Sequence, residues 1–207
     1  MSTPDICIVD YQAGNVRSVQ KALERFGATA RISGDPRDIG ASDGLVFPGQ
    51  GACDSSMGRL RAMGLVGPIK EFIASGRPFL GVCLGLQLLL EGSDEGVEPG
   101  LGVLAGRVKR LPPGQKVPHM GWNQVRFHKR HPVFEGIPTD SHFYFVHSYY
   151  ADPLDATVVA GTTSYGVEFC SAASWDNVAA VQFHPEKSGE IGLRVYANFL
   201  ELVRSGG

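Results

Sequence analysis

Short apolar segments alternate with helical patterns through the first half of this 207-residue chain. Residues 6–9, 45–47 and 79–82 have the length and composition of buried strands. The helical patterns between these segments cover residues 16–26, 55–62 and 65–75. Such alternation predicts a mostly parallel sheet with helices on both faces, whose ligand site lies at the carboxyl ends of the strands.

The second half of the chain has a different pattern, in which short strands are separated by turns. We expect strands at 117–127, 143–150 and 168–174, and a last apolar segment at 178–183 precedes a carboxyl-terminal helix. These strands predict antiparallel additions to the sheet of the first half. Because we find no internal repeat and no low-complexity linker, we expect a single α/β domain over residues 1–207.

Charge and cysteine content argue against several classes of function. The formal net charge is −2 and the sequence pI is about 6.3, so neither nucleic acid nor a membrane is expected as a partner. The four cysteines are widely separated and form no Cys-Xaa-Xaa-Cys pair, which argues against a metal site or a disulfide framework. No metal or other cofactor is therefore expected.

The amino terminus and the longest apolar segment bear on the compartment. Residues 1–5 lack a basic stretch followed by an apolar one, so we expect no signal peptide. The apolar segment at 79–90 is too short and too interrupted to cross a bilayer. Together with the cysteine spacing, these features predict a reduced, cytoplasmic protein.

Cys83 occupies the corner between a predicted strand and a predicted helix, with Gly81 and Gly85 on either side. The positive end of a helix favours thiolate over thiol, and thiolate is the nucleophilic form. The two glycines permit a sharp turn and a close approach of substrate to the backbone. Most free cysteines are buried structural residues, but this surrounding favours a nucleophile.

His184 follows the last predicted strand, and Glu186 comes two residues later. In extended backbone, residues i and i+2 point to the same side, so the carboxylate can reach the imidazole. A cysteine nucleophile needs such a base, and the base needs a group that orients it. A His-Xaa-Glu pair alone is more often a surface pair, but after a buried strand it predicts a triad of Cys83, His184 and Glu186.

Acyl transfer at a cysteine also needs donors for an oxyanion. The N–H of Leu84 is one candidate, and the turn Pro48-Gly49-Gln50-Gly51 is predicted to supply the second, since glycine permits unusual peptide orientations. Gln87, four residues after Cys83 on the same helical face, is placed to hydrogen-bond a substrate above the thiol. An ordinary turn and a solvent-facing glutamine are the alternatives for the last two segments.

Three motifs of the chain resemble the signatures of class I glutamine amidotransferases, in the order found in that family. They are Pro-Gly-Xaa-Gly at 48–51, Gly-Val-Cys-Leu-Gly-Xaa-Gln at 81–87 and His-Pro-Glu at 184–186. The resemblance implies a flavodoxin-like sheet and hydrolysis of glutamine to glutamate and ammonia. It implies that Cys83 forms a thioester, that His184 protonates the departing ammonia and then activates water, and that Glu186 orients His184.

Further segments, at 10–19, 118–123, 145–149 and 187–188, resemble one branch of that family, the glutaminase subunits of imidazole glycerol phosphate synthases. The resemblance implies that His147 and Ser148 line the glutamine pocket. The residues that it implies lie toward a partner are Asn15, His119, Met120, Gly121, Trp122, Asn123 and Lys187. Met120 and Trp122 in a polar, turn-rich segment suit an interface, and a core tryptophan is the open alternative.

The branch implies a partner that receives ammonia directly, because ammonia released into neutral water becomes mostly ammonium and loses its nucleophilicity. We expect a separate partner, since 207 residues leave no room for a synthase domain. The implied partner is a (β/α)₈-barrel cyclase, bound as a heterodimer, which makes imidazole glycerol phosphate and an aminoimidazole carboxamide ribotide in histidine biosynthesis.

Other functions are compatible with parts of the same pattern. One is a class I glutaminase that serves pyridoxal phosphate or anthranilate synthesis. Others are a thiol peptidase, a redox-sensing protein or a non-catalytic scaffold on a similar sheet. Cys7, Cys53 and Cys170 are expected to be core or incidental residues.

Overall fold

A computed structural model describes residues 3–206 of the chain. Met1, Ser2 and Gly207 lie outside this range, so the expectation of no signal peptide rests partly on residues that are not described. Within the described range, the strands are β1 (Asp5–Val9), β2 (Thr29–Ser33), β3 (Gly44–Gly49), β4 (Phe79–Cys83), β5 (Leu90–Ser93), β6 (Leu104–Arg110), β7 (His119–Phe127), β8 (Ser141–His147), β9 (Tyr149–Pro153), β10 (Val159–Ser164), β11 (Glu168–Trp175) and β12 (Val178–Val181). The α-helices are α1 (Val16–Glu24), α2 (Pro36–Ala41), α3 (Cys53–Ala62), α4 (Val66–Ala74), α5 (Leu84–Leu88) and α6 (Gly189–Ser205).

The central sheet has the strand order β2-β1-β3-β4-β12-β11-β10-β7-β8. The strands from β2 to β12 are parallel to their neighbours, and those from β12 to β8 are antiparallel. A side branch contains β5, β6 and β9, and it joins the sheet where β9 pairs with β11. The predicted parallel sheet with antiparallel additions is therefore confirmed.

Two apolar cores cover the opposite faces of the parallel strands. In β1, Ile6 and Ile8 belong to one core, whereas Cys7 and Val9 belong to the other. This alternation follows from the two-residue period of a strand. Helices α1 and α6 pack on the first face, and α2 to α5 pack on the second. With both faces covered, the site must lie at an edge where the strands end.

Three local features differ from the sequence predictions. The predicted strand at 143–150 is two strands, β8 and β9, because the chain leaves the pairing with β7 at Ser148 and enters the branch with β6 and β11. The helix after Cys83 ends at Leu88, and Leu90 already begins β5. Strand β2 and helix α2 were not predicted.

None of the helices within residues 3–206 is long and apolar enough to cross a membrane.

Candidate active site

The three motifs meet because β4 lies between β3 and β12 in the parallel part of the sheet. Gly49, the last residue of β3, is opposite Cys83, the last residue of β4. On the other side of β4, Val181 is opposite Val82, so the chain that leaves β12 toward His184 starts beside the cysteine. Parallel neighbours end at the same edge of a sheet. Three segments that are distant in sequence therefore form one site.

Cys83 has a backbone conformation that few residues with a side chain adopt. Its φ is 56° and its ψ is −109°, and its side chain is 6% exposed. A non-glycine residue at positive φ costs about 1–3 kcal/mol, and such residues cluster at functional sites. Gly85 allows helix α5 to start immediately, because a Cβ there would overlap the carbonyl oxygen of Phe47 in β3. The corner predicted from the two glycines is thus a strained turn that holds the thiol in place.

His184 and Glu186 form a buried pair, in which both side chains are 1% exposed. Nδ1 of His184 donates to Oε1 of Glu186 at 2.9 Å. The hydroxyl of Tyr196 in α6 donates to the other oxygen, Oε2, at 3.3 Å, and the side-chain amide of Asn15 donates to Oε1. The carboxylate is therefore held by three donors. Because Nδ1 carries the proton that Glu186 accepts, Nε2 is the ring nitrogen available for proton transfer.

The protonation of this pair follows from its neighbours. Burial disfavours the imidazolium, but the Cys83 thiolate and the Glu186 carboxylate favour it more strongly and raise the pKa of His184 to about 10. Burial also works against the ionised form of Glu186, but the hydrogen bond and the charge of His184 outweigh it and lower the pKa of Glu186. Nε2 of His184 is buried and has no hydrogen-bond partner within residues 3–206. A protonated Nε2 is thus ready for a substrate group.

A cavity of about 390 Å³ opens above these groups. The predicted site residues that line it are Gln50, Gly51, Cys83, Leu84, Gln87, His147, Ser148, His184 and Lys187. Gly49 and Glu186 are not part of its wall. Gly49 is packed against the Tyr11 hydroxyl so closely that a Cβ on it would overlap that oxygen, and Glu186 is buried and bonded to His184.

The two segments predicted to supply oxyanion donors both border the cavity that contains Cys83. Leu84 is the first residue of α5, and the first N–H groups of a helix have no acceptor within it. Across from it, Gln50 and Gly51 border the cavity, and Gly51 has a φ of 99°. Both predicted segments therefore lie next to Cys83.

Gln87 is more constrained than the sequence suggested, because it is only 6% exposed. Its Nε2 donates to the carbonyl oxygen of Tyr149 at 2.8 Å and to Oε1 of Gln182 at 2.9 Å. Both amide hydrogens are therefore engaged inside the protein. Oε1 of Gln87 accepts from Cys53 Sγ at 3.8 Å, so the contact of Gln87 with a substrate stays a prediction.

The segment implied to face a partner divides into exposed and buried residues. Met120 and Trp122 are 60% and 57% exposed, so the alternative of a core tryptophan is wrong. Lys187 is also exposed, whereas Gly121 and Asn123 are half-buried. Asn15 is half-buried too. It directly precedes α1 but makes no side-chain cap bond within the described chain, and its side-chain amide donates to Glu186 instead.

His119, from the same segment, is buried and belongs to a chain of hydrogen bonds. Its Nδ1 lies 2.9 Å from Nε2 of His147, whose Nδ1 lies 2.9 Å from the carbonyl oxygen of Tyr149. A carbonyl only accepts, so His147 donates through Nδ1 and accepts through Nε2. Burial lowers the pKa of His119 to about 4 and that of His147 to about 3. Both rings are therefore neutral at pH 7.

Two side chains of the site were missed from sequence. Glu95 lines the cavity, and its Oε2 accepts the backbone N–H of Cys53 at 2.7 Å. Gln182 is completely buried next to Cys83. The available signal for Gln182 was a single amide inside the apolar run 178–183, whereas a glutamate in a polar loop such as Glu95 carries none. Nowhere in residues 3–206 do three or more His, Cys, Asp or Glu side chains form a group that would hold a metal ion.

Comparisons with known proteins agree with this geometry. The family model described as "Glutamine amidotransferase class-I" matches residues 7–202. The chain is 53% identical over 203 residues to the "Imidazole glycerol phosphate synthase subunit HisH" of Moorella thermoacetica. That alignment covers 98% of this chain and 97% of the relative. It is 49% identical over 208 residues to the protein of the same name from Thermosynechococcus vestitus, in an alignment that covers 99% of this chain and 100% of that relative.

Solved structures of lower sequence identity have the same fold. The crystal structure of a glutamine amidotransferase aligns with a TM-score of 0.75 at 23% identity, covering 96% of this chain and 98% of that one. The structure of PurLQS from Thermotoga maritima aligns with a TM-score of 0.74 at 19% identity, covering 97% and 99%. At these identities the likeness supports the fold alone.

Proposed function

The chain belongs to the class I glutamine amidotransferase family, and we propose that it is the HisH-type glutaminase subunit of an imidazole glycerol phosphate synthase. The observation that carries this proposal is the meeting of Cys83 with the buried His184–Glu186 pair at the ends of adjacent strands. The relatives at about half identity over nearly the whole chain support the choice of branch. In this role, it is an enzyme of histidine biosynthesis that works with a partner subunit.

The first half of the reaction makes a thioester. The Cys83 thiolate attacks the side-chain amide carbon of glutamine, and the carbonyl oxygen becomes an oxyanion that accepts from Leu84 N–H and the 49–51 turn. When the C–N bond breaks, His184 gives its Nε2 proton to the departing nitrogen, which leaves as ammonia. The raised pKa of His184 supports this role, because the ring is protonated before the step.

The second half of the reaction hydrolyses the thioester. Neutral His184 takes a proton from a water molecule, and the resulting hydroxide attacks the thioester carbon through a second oxyanion. The C–S bond then breaks, so that glutamate and the Cys83 thiolate are released and His184 is protonated again. Glu186 stays ionised and keeps Nδ1 of His184 as the donor throughout.

Glu95 is the cavity residue best suited to bind the α-ammonium group of glutamine. Its side chain borders the cavity, and a carboxylate has the opposite charge to an ammonium group, with which it forms strong hydrogen bonds. The backbone N–H of Cys53 occupies only one of its lone pairs, so the carboxylate retains acceptor capacity. His147 and Ser148 line the same cavity and complete the proposed glutamine pocket.

The partner is proposed to be a (β/α)₈-barrel cyclase that forms a heterodimer with this chain. Exposed Met120 and Trp122 support a contact surface on β7, because large apolar side chains at interfaces act as anchors. Trp122 contacts Tyr144 of β8 edge to face, with ring centroids 6.2 Å apart. Asn15 and Lys187 extend the proposed surface toward the triad, and Lys187 borders the cavity from which ammonia would leave.

The remaining parts of the proposal concern organisation and location. We propose that the whole chain works as one amidotransferase domain, which the match over residues 7–202 supports. We also propose a cytoplasmic location. The four buried cysteines, which are free thiols in the described part of the chain, suit a reducing compartment.

The test is glutamine hydrolysis by the isolated chain and by the chain with the cyclase and its ribonucleotide substrate. We expect the partner and its ligand to raise hydrolysis, and glutamine to support cyclase product formation. A chain that turned over glutamine equally well alone and supplied no ammonia to the cyclase would contradict the assignment to this branch.

A further inference from the structure

One buried polar side chain next to the nucleophile has no part in the reaction described above. The Gln182 side chain is completely buried, and its Nε2 lies 3.7 Å from Sγ of Cys83, within the range of an N–H···S hydrogen bond. We propose that Gln182 is a further catalytic residue, which donates a hydrogen bond to the Cys83 thiolate. The proposal rests on the function proposed above and adds a group to its site.

The direction of this hydrogen bond follows from the neighbours of Gln182. Its Oε1 accepts from Nε2 of Gln87 at 2.9 Å, so the oxygen end of the amide faces a donor and the N–H₂ end faces the sulfur. Gln87 is oriented in turn, because its Nε2 also donates to the carbonyl oxygen of Tyr149, which only accepts. A flipped Gln182 would place two donors against each other. The amide therefore has one favourable orientation.

Three hydrogen bonds of this cluster run in series toward the nucleophile. The Cys53 thiol donates to Oε1 of Gln87, Gln87 donates to Oε1 of Gln182, and Gln182 donates to Cys83. Hydrogen bonds in such a chain polarise one another in the same direction. The N–H of Gln182 is thus a stronger donor to an anion than an isolated amide would be.

The position of Gln182 is rigid because it comes directly after β12. The pair Val82–Val181 is the last one between β4 and β12. Cys83 directly follows Val82, and Gln182 directly follows Val181. The backbone N–H of Gln182 is itself bound by the carbonyl of Ser171 in β11, at 2.9 Å. Both partners of the N–H···S contact are therefore fixed by the sheet.

A neutral donor complements the charged one at this site. The titratable groups around Cys83 are His184 and Tyr11, together with Glu95, His147, Tyr149 and Lys187 on the cavity wall. His184 gives up its proton when ammonia leaves and regains one from water before the C–S bond breaks, whereas the Gln182 amide keeps its hydrogens at every stage. Gln182 therefore still stabilises the thiolate when the thioester breaks and Cys83 is the leaving group.

The test compares Gln182→Met, which keeps the length of the side chain and removes the donor, with the unchanged chain. The readout is the rate of Cys83 alkylation by iodoacetamide against pH, with Cys83→Ser as the background for Cys7, Cys53 and Cys170. We expect the midpoint of this profile to rise by roughly one pH unit, since a hydrogen bond to a charged group is stronger than a neutral one. The kcat of glutamine hydrolysis should fall about 10-fold or more.

Two further variants separate the donor from packing. Gln182→Glu places a carboxylate beside the sulfur and should move the alkylation midpoint upward further. Ser174→Ala, a buried polar-to-apolar change in the adjacent strand β11, should leave the midpoint unchanged. An unchanged midpoint in Gln182→Met, with or without a loss of kcat, would overturn the proposal, because a purely structural role does not change thiolate formation.

A measurement on the native side chain serves if these variants do not fold. In a chain labelled with ¹⁵N-glutamine, the Gln182 side-chain N–H resonance should move downfield as the Cys83 thiolate forms, and this movement should be absent in Cys83→Ala. Identical behaviour in both chains would contradict the hydrogen bond. Neither the alkylation profile nor the resonance measurement uses glutamine turnover. A failure of the proposed glutaminase function would therefore be seen separately, because glutamine hydrolysis would then persist in Cys83→Ser.

Discussion

The side-chain amide of Asn15 and Nδ1 of His184 donate to the same oxygen of Glu186, Oε1. Asn15 lies in the turn between β1 and α1 and has a φ of 63°, so the first βα turn of the chain reaches the residue that orients the proposed base. With Tyr196 on Oε2, this contact fixes the position of the carboxylate and adds to the larger effect of His184 in lowering the pKa of Glu186. Asn15 is thus part of the support of the triad as well as a predicted neighbour of the partner.

Loss of the Asn15 donor should slow glutamine hydrolysis. Asn15→Asp keeps the shape but sets a carboxylate against Glu186, and Asn15→Gly keeps access to positive φ but removes the side chain. We expect kcat to fall about 10- to 100-fold in each, in line with a hydrogen bond to a charged group. Hydrolysis is measured with the partner present, and Glu24→Gln at the exposed end of α1 is the control. Native rates in both Asn15 variants would contradict this role.

Removal of the Glu95 charge should weaken glutamine binding more than turnover. Glu95→Gln keeps an acceptor for the Cys53 N–H but loses the attraction for an ammonium group. We expect KM for glutamine to rise about 10-fold or more with a smaller change in kcat. Asp94→Asn is the matched control, because the neighbouring Asp94 pairs with Arg107 on the surface. Equal KM values in the two variants would show that Glu95 does not bind the substrate.

Acidification should destabilise the chain through His119. Burial lowers the pKa of His119 to about 4 from an ordinary 6.5, so the unfolded chain binds more protons between these two values. The stability that the neutral ring contributes is present above pH 6.5 and is lost as the pH falls toward 4.

The His119 contribution is measured as the slope of unfolding free energy against pH. In His119→Gln this slope should be smaller by about 1.4 kcal/mol per pH unit between pH 6.5 and 4. His142→Gln, which changes an exposed histidine of β8, should leave it as in the unchanged chain. Equal slopes in all three chains would contradict a neutral buried His119.

Truncation of Trp122 should weaken the heterodimer without weakening the fold. The side chain is 57% exposed, so Trp122→Ala should change the unfolding free energy of the isolated chain by less than about 0.5 kcal/mol. An anchor residue is worth about 2 kcal/mol, which raises Kd for the cyclase roughly 30-fold. Leu154→Ala, at another exposed apolar residue, is the control. Equal Kd values in both variants would remove Trp122 from the interface.

The sequence predicted the sheet because its parallel strands are covered on both faces. Apolar runs such as 6–9 and 79–82 are then nearly continuous, and each ends in a turn that serves the site. The strand order was not predictable, since β12 joins β4 only after a long excursion through the antiparallel part. The triad of Cys83, His184 and Glu186 was predicted because Cys83 and His184 each follow an apolar run, and the resemblance to the family supported it; the strand pairing that brings the two residues together could not be predicted.

Side-chain partners were less predictable than strands. Asn15 occupies a position that suits a helix cap, but a carboxylate distant in sequence competes for its amide. Gln87 has the predicted spacing from Cys83, and yet its donors are taken by Tyr149 and Gln182. Such choices depend on which groups the fold buries together, and local spacing carries no information about them.

The central claim is that Cys83 converts glutamine to glutamate and supplies ammonia to a partner. The most direct measurement is synthesis by the complex containing Cys83→Ser, with glutamine or with an ammonium salt as the nitrogen source. We predict that glutamine no longer supports product formation and forms no thioester, while ammonium supports it at the rate seen with the unchanged chain. Glutamine-dependent synthesis that persisted in Cys83→Ser would contradict the claim.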